Sequence, residues 1–227
     1  MSAPRYWAVV PAAGVGRRMG ATIPKQYLAL AGQPIIERTL RTLLRHPRIA
    51  GVMVAVSAND EWWPGIAAAG VMRCDGGEQR CHSVLNGLRG LGNCGASFDD
   101  WALVHDAVRP LLRAEDIDRL MDGVDGDGGL LALPVRDTMK RMGADNRVQE
   151  TVSRERLWHA LTPQMFPIGA LVTALGQSLA NNSLVTDEAQ AMEMAGARPR
   201  LVEGHADNIK ITHPDDLELA ERLLRKQ

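Results

Sequence analysis

Short apolar runs alternate with segments of helical periodicity along most of the chain. The runs with the length and composition of buried strands are Tyr6–Ala12, Gly51–Ser57, Gly70–Gly76, Trp101–Asp106 and Gly128–Val135. Helical periodicity recurs in segments 34–47, 82–91, 114–124 and 213–226. In the first of these, Ile36, Leu40 and Leu43 share one face, and Pro34 stands at a suitable helix start. Strand–helix alternation predicts an α/β fold, with a mostly parallel twisted sheet flanked by helices.

One segment, 136–158, breaks this alternation. It is rich in charge and carries a Gly-Ala-Asp-Asn turn at Gly143–Asn146. The pattern predicts a polar two-stranded hairpin that projects as an arm from a single domain spanning 1–227. Because an isolated hairpin is marginally stable in water and has open edges, we expect the arm to pack on a second copy of the chain.

Composition and charge narrow the possible partners. The 227 residues carry a formal net charge of -1, which gives no overall attraction to nucleic acid or to a membrane. The first 20 residues lack a signal-peptide pattern, and no run is long enough to span a bilayer. The three cysteines have no metal-binding spacing. We therefore expect a cytoplasmic protein with reduced thiols.

The stretch from Ala8 to Leu30, AVVPAAGVGRRMGATIPKQYLAL, follows the first predicted strand. Its small residues, which let a ligand approach the backbone N–H groups, are Ala12, Ala13, Gly14 and Gly16. The spacing of the three glycines in 14–20 is one residue too long for a dinucleotide fingerprint, and Pro24 before Lys25 excludes a P-loop. Arg18 and Lys25 are either solvated surface charges or cations for a triphosphate, and the glycine turn favours the triphosphate.

Two more polar segments follow predicted strands. DGGEQRCHSV, starting at Asp75, is a second glycine turn, in which Ser83 either caps or starts a helix or turns its hydroxyl to a ligand. VHDAVRP places Asp106 and Arg109 beyond another strand end. Asp106 there can hold a metal or a ribose and Arg109 an anion, while the plainer alternative is an Asp–Arg surface pair. The carboxyl ends of parallel strands share one crevice, so these turns should face the same ligand.

Later segments carry weaker signals. In TDEA, Thr186 is expected to cap a helix that Asp187 and Glu188 open. Segment 207–212 alternates like a short strand, with Lys210 expected on its solvent face. The histidines, serines and cysteines form neither a covalent catalytic triad nor a metal-ligand spacing.

Taken in order, these motifs resemble those of the 2-C-methyl-D-erythritol 4-phosphate cytidylyltransferases of the non-mevalonate route to isoprenoids. The matching stretches, which run from Trp7 to the last helix, are PAAGVGRRMG, PKQYL, DGGEQRCHSV, VHDAVRP, PVRDTMKR, ALTPQMF, TDEA and NIKIT. The resemblance implies a Rossmann-like nucleotidyltransferase fold whose arm dimerises. It also implies that the phosphate of methylerythritol phosphate attacks the α-phosphate of CTP in line, with Mg²⁺ as cofactor and pyrophosphate as leaving group.

The resemblance also implies residue roles. Arg18 and Lys25 would stabilise the transition state. The residues around the cytidine would be Ala12, Ala13, Gly14, Gly16, Gly77, Glu78 and Ser83. Glu78 stands where the family often carries aspartate. The residues that position methylerythritol phosphate would be Asp106, Arg109, Thr138, Arg154, Thr162 and Lys210, with Thr138, Arg154 and Thr162 reaching over from the partner's arm.

The implied chemistry agrees with the residues. A phosphate oxygen is already anionic at neutral pH, so it needs neither a general base nor a protein nucleophile, and positioning and cations carry the reaction.

Three alternatives stay open. A cytidylyltransferase for another polyol phosphate, such as ribitol 5-phosphate, would share the opening loop. An NAD(P)-dependent dehydrogenase lacks its ribose-binding acid here. A non-catalytic nucleotide sensor would not need both Arg18 and Lys25.

Overall fold

The computed structural model describes residues 3–14, 23–66 and 70–226, and eleven strands lie within them. The strands are β1 Tyr6–Pro11, β2 Ala29–Leu30, β3 Gln33–Pro34, β4 Ile49–Val56, β5 Val71–Asp75, β6 Trp101–Val104, β7 Gly129–Pro134, β8 Met139–Met142, β9 Val148–Val152, β10 Trp158–Pro167 and β11 Arg200–Glu203. The helices are α1 Ile35–Arg45, α2 Arg80–Asn93, α3 Ala114–Gly123, α4 Ile168–Ala180, α5 Glu188–Met194 and α6 Pro214–Leu224.

Seven of these strands form one sheet in the order β11-β7-β10-β6-β1-β4-β5. β10 runs antiparallel to both of its neighbours, and the other pairs are parallel. The mostly parallel sheet and the five predicted strands are thus confirmed. The sequence pattern missed the short β2 and β3 as well as β10, β11 and α4. Pro163 and Pro167 interrupt the strand signal of β10, and glycines dilute the helical signal of α4.

The strands alternate their side chains between two apolar layers. Val10 of β1 faces the layer that holds α1 and α3, and Val9 faces the layer of α2, α4 and α5. Val54 and Met53 divide in the same way on β4. A period of two within the apolar runs therefore covers both faces of the sheet with helices, as a parallel sheet requires.

The predicted strand at 207–212 is wrong. These residues form no strand, and Ile211 N donates to the carbonyl of Val108 at 2.9 Å. The alternation of apolar and polar residues is real, but it buries Ile211 under α6 while Asn208 and Lys210 turn toward polar partners. The segment is a loop held by side-chain contacts and a single backbone bond to Val108 rather than by a strand ladder.

The predicted hairpin is present as β8 and β9, which pair with each other and with no strand of the main sheet among the described residues. Its turn is closed by Gly143 N, which donates to the Arg147 carbonyl at 2.9 Å. Met142 and Val148 are 66% and 64% exposed.

No helix in the described ranges is long and apolar enough to cross a membrane.

At the amino ends of β1 and β6, Asp100 gathers four donors. Its carboxylate accepts from Arg5 N at 2.9 Å, Trp7 Nε1 at 2.9 Å, Ser97 N at 3.0 Å and Arg5 Nη2 at 3.1 Å. Burial alone would raise the pKa of Asp100, but these hydrogen bonds outweigh it, and the pKa lies below its ordinary value. Asp100 therefore ties the entry of two central strands together as an anion.

We expect Asp100→Asn to lower the free energy of unfolding at pH 7 by about 1–3 kcal/mol, because buried donors lose a charged acceptor. Since the folded pKa lies below the unfolded one, the contribution of Asp100 is present above about pH 4 and is lost as the pH falls through the folded pKa. Urea unfolding at pH 7 and pH 3 should show the difference between the two proteins shrinking at pH 3. Asp99→Asn, at an exposed neighbour, is the control; an equal loss in both variants contradicts the prediction.

Candidate active site

An open cleft of about 180 Å³ lies at the carboxyl ends of β1, β5 and β6. We call it the first cleft. Its described lining residues are Pro11–Gly14, Lys25, Gln26, Gly77–Arg80, Ser83, Asp106–Val108 and Lys210. The two glycine turns and the VHDAVRP segment thus meet where the sheet topology predicts.

The turn after β1 is held by buried hydrogen bonds. Ala12 N donates to the Ala55 carbonyl at 2.7 Å, and Gln26 Nε2 donates to the Ala12 carbonyl at 2.7 Å. Gln26 belongs to a 3-10 turn, Lys25–Tyr27, which this bond fastens to the end of β1 and which brings Lys25 to the cleft. Gln26 had no predicted role. The predicted residues Gly16 and Arg18 lie outside the described residues.

The second turn needs its glycines for space. A Cβ on Gly76 would lie 2.4 Å from the Cβ of Ala13, and one on Gly77 would lie 2.4 Å from the Cβ of His82. The absence of both side chains lets the turn after β5 pack directly against the turn after β1 and the start of α2. The turn from Gly77 to Arg80 and the first turn of α2 therefore form one wall of the cleft.

Of the two alternatives for Ser83, the one in which it caps or starts α2 is wrong. The helix starts at Arg80, with Gln79 as its N-cap and His82 completing a capping box. Ser83 is buried in the first turn, and its Oγ accepts from Gly77 N at 3.0 Å while still lining the cleft. Its hydroxyl fixes the shape of the glycine turn. Glu78 is exposed at the rim of the same cleft.

Asp106 is the centre of the site. Its side chain is 8% exposed; Oδ1 accepts from Arg80 Nε at 3.1 Å, and Oδ2 accepts from Lys210 Nζ at 2.9 Å and Arg109 Nε at 3.4 Å. Burial alone would raise the pKa of Asp106, but these three cations outweigh it and hold the pKa well below its usual range. The Asp106–Arg109 pair is thus a buried pair and not a surface one. Lys210, predicted on a solvent face, is turned to Asp106 instead.

Arg80, which is partly exposed, and the buried Glu188 form a second ion pair that the sequence motifs did not predict. Arg80 Nη1 and Nη2 donate to Glu188 Oε1 and Oε2 at 2.5 and 3.1 Å. Burial raises the pKa of Glu188, and the Arg80 guanidinium opposes that shift. Burial alone would lower the pKa of Arg80, but Glu188 and Asp106 outweigh it and raise the pKa above its ordinary range. The partners are 108 residues apart, so no local spacing pointed to the pair.

Thr162 belongs to this chain's own site, so the prediction that it reaches over from a partner's arm is wrong. The register of β10 shifts between Ala160 and Gln164, and this irregularity turns Thr162 toward the end of β6. There its Oγ1 accepts from Asp106 N at 3.1 Å and lies 3.0 Å from His105 Nδ1.

His105, which had no predicted role, fixes the hydroxyl of Thr162. His105 Nε2 lies 3.1 Å from the Arg109 carbonyl, which can only accept, so Nε2 carries the proton. Nδ1 must then accept from the Thr162 hydroxyl. Burial lowers the pKa of His105 to about 4, which keeps the ring neutral.

A second cleft, of about 190 Å³, opens beside the first. The two share Arg80, Asp106 and Lys210, and the remaining residues that line the second are Arg109, Ala160–Thr162, Gln164, Thr186 and Asp187. The predicted N-cap at Thr186 is wrong by one residue: Asp187 caps α5 and accepts from Gln190 N at 2.9 Å. Asp187 takes the cap because Thr186 is engaged with Gln190 Oε1 through its own N and Oγ1.

Thr138 and Arg154 line neither cleft of their own chain. Thr138 is exposed just before β8, and Arg154, exposed beyond β9, donates to the Arg136 carbonyl. The structure therefore gathers Asp106, Arg109, Thr162 and Lys210 into one cluster and leaves these two arm residues outside it.

Transfer of a nucleotidyl group requires cations beside backbone turns that let phosphates approach closely. This fold and this site have both features, and they define an α/β nucleotidyltransferase. The sequence model of the family 2-C-methyl-D-erythritol 4-phosphate cytidylyltransferase matches residues 6–226. The chain belongs to that family.

Relatives of that name cover nearly all of the chain. The protein of Pseudomonas aeruginosa PAO1 is 54% identical over 219 residues, 94% of each chain, and that of Pseudomonas fluorescens SBW25 is 52% identical over 220 residues, 95% of this chain and 94% of its own. The crystal structure of the Francisella tularensis enzyme of the same name superposes with a TM-score of 0.83 at 36% identity, covering 96% of this chain and 99% of its own.

Proposed function

We propose that the first cleft binds CTP and the second binds 2-C-methyl-D-erythritol 4-phosphate, so that the cytidylyl transfer of the family takes place at their border. A phosphate oxygen of the sugar alcohol forms a bond to the α-phosphorus of CTP, and the bond from that phosphorus to the β-phosphate oxygen breaks, releasing pyrophosphate. The observation that carries this placement is the shared wall of Arg80, Asp106 and Lys210.

The charge at the border suits two anionic substrates. The charged residues that line the second cleft are the three cations Arg80, Arg109 and Lys210 and the two carboxylates Asp106 and Asp187, which leaves a net +1. The attacking phosphate is already an anion, so the barrier lies in bringing like charges together and in the charge that builds on the α-phosphate. Fixed cations in a partly buried site lower both costs.

Lys25 also lines the first cleft, on a turn that Gln26 fixes. We propose that Lys25 and Arg18 stabilise the negative charge that develops on the triphosphate as pyrophosphate leaves. For Lys25 the support is its place in the lining of the cleft; for Arg18 it is the sequence resemblance.

Mg²⁺ is a further proposal, and the described residues fit an ion carried by the nucleotide. They contain no cluster of three acidic, histidine or cysteine side chains suited to a metal. Mg²⁺ keeps several waters and commonly binds through substrate phosphates. Both oxygens of Asp106, the buried carboxylate of the first cleft, are already engaged by three cations. The triphosphate oxygens would therefore hold the ion, which would neutralise charge on the phosphates.

We also propose a homodimer in which the arm of one chain completes the second cleft of the other. The support is twofold: Met142 and Val148 expose apolar surface on the arm, and Thr138 and Arg154 lie outside the clefts of their own chain. A cytoplasmic location stays a prediction, which cell fractionation would test.

We expect the protein to release pyrophosphate only when CTP, Mg²⁺ and methylerythritol phosphate are all present, because the nucleophile comes from the second substrate. Coupled pyrophosphate detection measures this, with ribitol 5-phosphate as the matched alternative. Equal rates with both polyol phosphates would contradict the assignment of methylerythritol phosphate as the second substrate. No release of pyrophosphate with either would refute the proposed enzymatic activity.

We expect Lys25→Met to lower kcat by about 10²- to 10³-fold, as when one donor to a developing oxyanion is lost. Steady-state kinetics with saturating CTP would measure this, with exposed Lys226→Met as the control. A kcat within twofold of the unmodified protein would remove Lys25 from the transition state.

A mixing experiment tests the shared site. Lys25→Met and Arg154→Ala should each be nearly inactive, but a dimer that combines them contains one site with both residues intact. Random exchange of equal amounts should restore about a quarter of the unmodified activity if a symmetric dimer shares its sites. No restoration despite demonstrated subunit exchange, or full activity of a monomer, would contradict the proposal.

A further inference from the structure

Glu188 is a buried acid with no part in the chemistry described so far. It is 1% exposed, lies at the start of α5, and lines neither cleft. Both of its oxygens are taken by the two terminal nitrogens of Arg80. A carboxylate is costly to bury, and such a bidentate pair offsets the cost only in a well-defined geometry.

The position of Glu188 is set by the backbone around it. Gln164, on β10, accepts from Ala189 N through Oε1 at 2.8 Å and donates through Nε2 to Asp187 Oδ2 at 2.9 Å. This amide therefore clamps the residues on both sides of Glu188 to the strand that carries Thr162. The strand β10 thereby sets the position of the backbone that carries Glu188, the partner of Arg80.

The pair decides how Arg80 meets Asp106. The guanidinium is a rigid planar fork, and with both terminal nitrogens turned to Glu188 it presents its Nε edge to Asp106, where Nε donates to Oδ1 at 3.1 Å. Oδ2 is then open to Lys210 and Arg109, which occupy it. An Arg80 released from Glu188 would be free to take both oxygens of Asp106 and to displace Lys210.

We propose that Glu188 is a positioning residue for the second substrate. By orienting Arg80, Glu188 leaves Oδ2 of Asp106 available to Lys210. Asp106 then holds the Lys210 ammonium group at the border of the two clefts. This inference rests on the proposed function, because the phosphate of the sugar alcohol is the group that Lys210 meets there. Asp106 is the only carboxylate that the three cations share in the described part of the chain, so their division over its two oxygens is what Glu188 controls.

The test separates this role from a general loss of stability. Glu188→Gln keeps the size of the side chain but loses the charge and one acceptor. We expect its KM for methylerythritol phosphate to rise about tenfold, with KM for CTP within about twofold, an effect in the usual range for coupled neighbours. Glu193→Gln, an exposed glutamate on the same helix, should change neither value.

A second variant shows whether the effect passes through Arg80. In an Arg80→Gln background, Glu188→Gln should leave KM for methylerythritol phosphate unchanged, because the guanidinium that it orients is gone. A further rise would overturn the route through Arg80. The double variant removes the guanidinium and the carboxylate together and leaves neither charge unpaired. It can therefore be measured even if Glu188→Gln alone folds poorly.

The remaining outcomes are distinct. A lower melting temperature with unchanged KM values would make Glu188 purely structural, and equal rises for both substrates would overturn its assignment to the second cleft. Lack of turnover of methylerythritol phosphate by the unmodified protein would overturn the proposed function and this inference together.

Discussion

One buried carboxylate organises the site. Asp106 lies where β6 ends, and three cations from separate parts of the chain, Arg80, Arg109 and Lys210, reach its two oxygens. Each cation satisfies part of the buried charge, and the carboxylate in turn holds each cation facing a cleft. The carboxylate would be costly to bury alone, because an unpaired buried charge carries a large desolvation penalty.

The sequence predicted what depends on neighbours along the chain. Apolar runs predicted the parallel strands, and sheet topology then placed both glycine turns at one crevice. Contacts between distant segments left no such pattern. Thr162 owes its place to an irregularity in β10, Glu188 meets Arg80 across 108 residues, and Lys210 stands in a loop whose alternation mimics a strand. Short-range periodicity records which face is buried; it does not record which polar groups become partners.

β10 is the element that departs from a simple α/β pattern, and the second cleft depends on it. As an antiparallel strand between β6 and β7, it starts beside the base of the arm and runs through the middle of the sheet. Its irregular stretch presents Thr162 to the end of β6, and Gln164 then holds the start of α5. One strand thereby joins the arm, the second cleft and the acid that orients Arg80.

The cluster around Asp106 also bears on how the chain folds. Its members come from the start of α2, the end of β6, the loop before α6 and the start of α5, so the charges can leave water only when all four segments have docked. The full set of ion pairs therefore exists only in the complete fold, and no one of these segments carries the site by itself.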